Sequence, residues 1–302
     1  VARIEGGPVI PIEDWISRAE FFEWRGRRIA FWATQHDGAG KPSLLLIHGY
    51  PTSSWDWSAL WPRLAERFRL VAVDMAGFGL SDKSASDYPI ATQADILEAA
   101  LGRRGVKAAH VFAHDYGDTV AQELLARHNE GRLGFAMQSL VMLNGGLFPE
   151  MHRARPIQKL GLTPFGFLVG AVMTRASMRR ALDRIFGPAT KASVEEIDGH
   201  WRMINEGGGR RVLHRLLSYI PQRRDNRARW VGALQSASIP MRLIDGGADP
   251  VSGAHLYHYY RQTVPDADAV LLPEIGHYPH TEAPGAVGDA FFEFHDSIGA
   301  LT

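Results

Sequence analysis

The sequence contains no cysteine among its 302 residues. That excludes disulfides, thiolate metal sites and a cysteine nucleophile, and it leaves the redox compartment open. Net charge is also lacking, with 33 Lys plus Arg against 33 Asp plus Glu. Whole-molecule charge therefore offers no argument for nucleic acid or a membrane as partner. The apolar runs are far shorter than a membrane span. The opening stretch VARIEGGPVIPIEDW has no basic segment followed by an apolar core, so no secretory leader is expected and a cytoplasmic location is. There are no repeats or low-complexity tracts. What is present is apolar material, 45% of residues, enough for one large α/β domain with or without an insertion.

Short apolar runs alternate with helical patterns. Phe21–Trp32 reads as two strands around a turn at Arg25-Gly26. Ser43–Ile47, Arg69–Val73, Ala109–Ala113 and Leu140–Leu143 are continuous apolar runs, the mark of strands buried on both faces. Between them, Trp55–Arg67 and Thr92–Leu101 have helical spacing. The alternation resumes with the strand Pro240–Asp245, a helix over His255–Thr263, the strand Ala269–Leu272 and a last helix over Pro284–Ile298. This predicts an α/β fold, a mostly parallel sheet with helices on both faces.

From Leu147 to Ala228 the alternation stops, and prolines and Gly207-Gly208-Gly209 punctuate a helical, irregular stretch. The expected division is a core of residues 1–146 and 229–302 with an inserted helical cap at 147–228. The insertion holds thirteen Arg and two Lys against seven acidic residues, a balance of +8 that the rest of the chain offsets. Solvated helix faces are the expectation for this charge, rather than an anion or lipid site.

The stretch AAHVFAHDYGDTVAQELL (108–125) reads as strand, sharp turn, helix. Its frame Ala113-His114-Asp115-Tyr116-Gly117 matches the G-x-S-x-G elbow, with Asp115 at the nucleophile position and Ala113 in place of the first Gly. Taken alone, Asp115 reads as an ordinary helix N-cap. Asp249 and His277 also follow strands, however, and the order acid, acid, His is the triad order of the α/β-hydrolase fold. Asp115 is then the nucleophile, His277 the base, and Asp249 the group that fixes the histidine tautomer. A carboxylate attacking saturated carbon leaves an alkyl ester, which water activated by His277 hydrolyses at the Asp115 carbonyl carbon. That step needs an oxyanion hole, expected from the backbone N–H groups of Tyr116 and of Tyr50 in His48-Gly49-Tyr50-Pro51, a loop expected to carry a cis bond before Pro51. Trp55, Trp57, Phe78, Phe148 and Phe165 are candidates for a pocket wall, each with ordinary core packing as the alternative.

HGYPTSS, DMAGFGLSD, AHDYGD, DGGADPV and GHYPHTE resemble the epoxide hydrolase and haloalkane dehalogenase branch of the α/β-hydrolases. HDYGDTVAQELL (114–125), LNGGLFPEMHR (143–153), LLSYIPQR (216–223) and RWVGAL (229–234) are similar to the mesoderm-specific transcript family and its bacterial relatives. The resemblance implies an epoxide hydrolase that takes a small apolar epoxide and water, with no metal or organic cofactor, as a monomer or homodimer. Epoxide hydrolases of this branch use cap tyrosines as proton donors, usually two. The only tyrosine in 147–228 is Tyr219. The second donor is open among His152, His200, His214 and Trp201, the last also a candidate for substrate contact. A dehalogenase would place Trp after the nucleophile and often Asn in the HG-x-P loop, where this chain has Tyr116 and Tyr50. The alternatives are a dehalogenase using the same Asp ester, and a non-catalytic binding or signalling protein on the same fold.

Overall fold

A computed structural model describes residues 9–34 and 40–300. The first eight residues, part of the stretch read for a leader, lie outside the described residues. Eight strands form one sheet in the order β1-β2-β4-β3-β5-β6-β7-β8. β1 (Glu20–Trp24) and β2 (Arg27–Ala33) make a hairpin. Its turn residues Arg25 and Gly26 take φ of 47° and 74°, which suits a two-residue turn between twisted strands. β2 pairs antiparallel with β4 (Arg69–Val73). From β4 onward every pairing is parallel, through β3 (Ser43–Ile47), β5 (Ala108–His114), β6 (Ala136–Leu143), β7 (Met241–Gly246) and β8 (Asp268–Leu272).

The parallel strands are apolar throughout because both faces are covered. Leu45, Ile47, Val71 and Val111 pack in one core layer, and Leu44, Leu46, Leu70 and Phe112 in the other. Successive side chains point to opposite faces, and each fully buried Leu or Ile contributes roughly 1.5–3 kcal/mol. After β3 the chain crosses to β4 on one side and then returns to β5 on the other. The carboxyl ends of β3 and β5 therefore border a topological switch, where open α/β sheets bind ligands.

Two boundaries differ from expectation. Trp55–Arg67 is not one helix but a 3-10 stretch, Ser54–Ala59, followed by the α-helix Trp61–Arg67. Pro62 sits in the first turn of the second piece, where a missing N–H costs nothing. The helix Arg227–Gln235 runs across residue 228 and packs on the helix Tyr116–Asn129, with Trp230 Nε1 donating to Glu123 Oε2 at 2.8 Å. The preceding insertion is helical, built from Pro156–Gly161, Phe167–Val172, Arg175–Asp183, Val194–Asn205, Leu213–Leu216 and Tyr219–Asp225.

Candidate active site

Asp115 stands between β5 and the helix Tyr116–Asn129 with φ 49° and ψ −106°. A non-glycine residue there is strained by about 1–3 kcal/mol and persists only where the surroundings impose it. The imposing contacts come from backbone at Gly117 and from side chains at Gly49. A β-carbon on Gly117 would stand 2.5 Å from the Ile47 carbonyl oxygen, and one on Gly49 would stand 2.6 Å from His114 Nδ1. The Asp115 side chain makes no capping hydrogen bond to its helix. Its Oδ2 instead accepts from the Tyr50 backbone N–H at 3.0 Å, in the loop holding the cis Tyr50–Pro51 bond. Tyr116 is the first residue of the helix, so its N–H has no partner along the helix itself.

Asp249 and His277 meet Asp115 from the ends of β7 and β8. His277 Nδ1–H donates to Asp249 Oδ2 at 2.7 Å, and His277 Nε2 lies 3.9 Å from Asp115 Oδ1. Burial opposes charge on His277, but Asp249, by charge and hydrogen bond, and then Asp115 outweigh it and raise the imidazole to about 9. Burial likewise opposes charge on Asp249, and His277 with the Val251 and Ser252 bonds holds that carboxyl below its usual range.

The supports of this pair were not foreseen from sequence. Asn144, at φ 41° after β6, donates to Asp249 Oδ2 at 3.1 Å and accepts from the Gly246 N–H at 2.7 Å. Ser252 Oγ also donates to Asp249 Oδ2, at 2.9 Å. Glu282 accepts from the N–H groups of Gly276 and Tyr278, on either side of His277. The signal was in the motifs themselves, in the Asn of LNGG and the Glu closing GHYPHTE.

Tyr219 is fully buried, its ring 5.0 Å from Tyr116 and 6.3 Å from Tyr50. Its hydroxyl has no hydrogen-bond partner among the described residues. Burial, and then the Asp115 carboxylate, push the phenol well above its ordinary value, so it is a neutral donor. Beneath it lies Arg223, 2% exposed, its guanidinium carbon 4.4 Å from the Tyr219 ring centre. Arg223 Nε donates to Thr119 Oγ1 at 2.7 Å and Nη2 to the Asp115 carbonyl at 3.3 Å.

The expected pocket residues separate. Phe78 packs against Tyr116, His48 and Tyr50, beside Asp115. Trp55 is buried, with its indole N–H on the Ile10 carbonyl and its ring against His200, and Trp57 packs on Phe112 and His280. Phe148 packs on Tyr259. Trp201 is half-buried under the Arg210 guanidinium. Phe165 corrects the expectation of a wall residue: it is 61% exposed, because its short connecting segment leaves the ring on the outer surface of the insertion. Of the candidate second donors, His152 has both ring nitrogens buried without partners and senses the charges of Arg223, His277 and Asp249. His200 faces Asp56 at 3.6 Å, and His214 is half-buried.

Among the described residues, one group has metal-ligand spacing: Asp56, His114 and His280, with one ligand atom each inside 4.8 Å of the others. His114 Nε2–H donates to the His277 carbonyl, and Asp56 accepts from Thr52.

Residues 42–284 match the family described as the alpha/beta hydrolase fold, and the chain belongs to that family. Within it, the chain is 40% identical to the Mesoderm-specific transcript homolog protein of Bos taurus over 299 residues, 95% of this chain and 88% of that one. It is 38% identical to the Putative hydrolase LipZ of Mycobacterium tuberculosis, over 82% of this chain and 86% of the relative. Among solved structures, the haloalkane dehalogenase DbeA from Bradyrhizobium elkani superposes with a TM-score of 0.78 at 22% identity, covering 94% of this chain and 99% of that one. That likeness is one of fold.

Proposed function

We propose that this protein is an epoxide hydrolase that converts an apolar epoxide to a vicinal diol through an ester on Asp115. The observation that carries the reading is a pairing. A carboxylate occupies the strained elbow without capping its helix, and a buried tyrosine hydroxyl with no hydrogen-bond partner among the described residues lies in its field. An alkoxide leaves poorly without an acid, and Tyr219 is the acid.

In the first step an Asp115 oxygen attacks an epoxide carbon, the C–O bond breaks, and Tyr219 gives its proton to the departing oxygen. The phenolate is reprotonated through water from His277, which enters the cycle as the imidazolium. Esterification removes the Asp115 charge that helped hold that proton, so His277 becomes a base at the moment one is needed. His277 then takes a proton from water as the hydroxide adds to the Asp115 carbonyl carbon. The Tyr50 and Tyr116 N–H groups stabilise the oxyanion. Collapse releases the second diol oxygen, protonated by His277, and the proton left on the Asp115 carboxyl passes to His277, restoring the imidazolium and the carboxylate. Asp249, held by Asn144 and Ser252, keeps the imidazole oriented throughout.

The test is turnover of styrene oxide, cyclohexene oxide and 1-bromobutane by the wild type, Asp115→Asn, Tyr219→Phe and His277→Gln. The expected outcome is diol from the epoxides, abolished by Asp115→Asn and reduced about 10²–10⁴-fold by Tyr219→Phe. His277→Gln should accumulate a covalent adduct of epoxide mass on Asp115. Bromide release without diol formation would replace this reading with a dehalogenase.

A further inference from the structure

The insertion presents an apolar face that the site does not use. Ile157, Leu160, Leu162, Phe165, Phe167, Leu168 and Val172 are all exposed, Phe165 at 61% and Val172 at 65%. They fall within sixteen residues, on the helices Pro156–Gly161 and Phe167–Val172 and the turn between them. Among the described residues only Phe21 and Val194 are other large apolar side chains of that exposure. Scattered exposed apolar residues are ordinary, but a contiguous set marks an interaction surface.

The charges around it are basic and lack carboxylate partners, although Arg210 Nη1 donates to the Met173 carbonyl at 2.7 Å. Arg153, Arg155, Lys159, Arg210 and Arg211 form no ion pair with a carboxylate among the described residues. Phe167 and Ala171 share with Arg210 and Arg211 a groove of about 530 Å³, open at the surface. Asn205, Gly170 and Gly208 complete its lining, so apolar surface and two guanidinium groups share it. The insertion as a whole has a balance of +8, and the rest of the chain −8. Solvated helix faces, the expectation from charge alone, do not account for seven exposed apolar side chains set among those charges.

We infer that this face docks on the surface of a bilayer containing anionic lipid, with Phe165, Phe167 and Val172 entering the headgroup boundary and Arg210 and Arg211 meeting lipid phosphates. Apolar burial combined with attraction to anionic lipid is how an amphipathic surface lies on a membrane without spanning it. The chemistry favours a bilayer over a second copy of the chain. Symmetric pairing through this face would set two like-charged insertions against each other, whereas an anionic surface satisfies the apolar and basic elements together. The inference stands independently of the proposed reaction.

Sedimentation of the full chain with phosphatidylcholine vesicles, with and without phosphatidylglycerol, tests it. The expected result is partition onto the phosphatidylglycerol vesicles only, falling as salt is raised. The variant Phe165→Ser/Phe167→Ser/Val172→Ser should lower the partition coefficient at least about tenfold. Arg210→Gln/Arg211→Gln should lower it by about fivefold per charge. Unchanged melting temperatures would show that both variants remain folded, and Arg211→Gln alone, at an exposed side chain, should still lower the partition about fivefold. Absence of wild-type partition, equal partition onto both vesicle types, or partition unaffected by both variants would overturn the inference. So would self-association without vesicles that the triple variant abolishes, since a second copy would then be the occupant.

Discussion

An arginine shut away from water has to be held by something. Arg223 is held by Thr119, by the Asp115 carbonyl and by the face of Tyr219. The glycines after Asn144 make room for it and for the buried Asp118. A β-carbon at Gly146 would stand 2.1 Å from Arg223 Nη1, and one at Gly145 would stand 2.1 Å from Asp118 Oδ2. Arg223 thus ties the tyrosine to the nucleophile's own backbone, and its charge eases proton loss from a phenol that burial and Asp115 otherwise oppose. It acts as a positioning residue. Arg223→Lys keeps the charge and loses the flat stack and the forked hydrogen bonds. Hydrogen bonds to a charged group are worth about 1.5–3 kcal/mol, so kcat for epoxide opening should fall roughly ten- to a hundredfold with KM little changed. Adding Tyr219→Phe should cost less than it does in the wild type, because the two act as a unit. Fully additive losses in that double-mutant cycle would show that Arg223 serves only the fold.

At the scale of elements, the elbow depends on how closely the helix Tyr116–Asn129 approaches the end of β3. At Gly117 the obstacle to a side chain is the Ile47 and His48 backbone, at 2.5 and 2.8 Å, which cannot swing aside. Gly117→Ala should therefore cost at least about 1–3 kcal/mol, a fall of several degrees in melting temperature. Gly102→Ala is the control. It lies inside the helix Ile90–Arg103 with nothing within 4 Å, and it should be neutral or stabilise by up to about 1 kcal/mol. A fall at both positions, or at neither, would detach the elbow from this contact. The same contrast explains what was legible. Strand, turn and helix around Asp115 are local patterns, and so are the apolar strands whose ends carry Asp249 and His277. Glu282 holds Gly276 and Tyr278 within its own motif, whereas Arg223 and Asn144 owe their places to partners more than a hundred residues along the chain, and no spacing in the sequence announces those contacts. The helix Arg227–Gln235 crosses the expected boundary for the same reason, since its Trp230 is anchored by Glu123, 107 residues earlier. Phe165 misled because an aromatic side chain reads alike in a pocket and on a surface.

At the scale of the molecule, the buried histidines give stability one of its dependences on pH. Burial pushes His110 and His295 down to about 4 and His280 down to about 3, so all three are neutral in the folded protein at neutral pH. In the unfolded chain they titrate near 6.5. Below that the unfolded state binds more protons, so each costs roughly 1.4 kcal/mol of stability per pH unit until its folded value is reached. His277 has the opposite sign. Its folded value of about 9 lies above 6.5, so its contribution is fully present below 6.5 and is lost as pH rises through 9. The two trends place the greatest stability contributed by these groups near pH 6.5. Between pH 6.5 and 5.5 the three neutral imidazoles together should remove on the order of 3–4 kcal/mol, against a gain of opposite sign from the buried carboxyls of Asp56, Asp118 and Asp245, which burial raises well above their usual range. His280→Gln should lessen the steepness by close to one proton, because it removes one of the titrating groups whatever it does to the absolute melting temperature. A pH dependence of the melting temperature between 7 and 5 that His280→Gln leaves unchanged would mean that this imidazole takes up its proton without unfolding, and that the core around it admits charge.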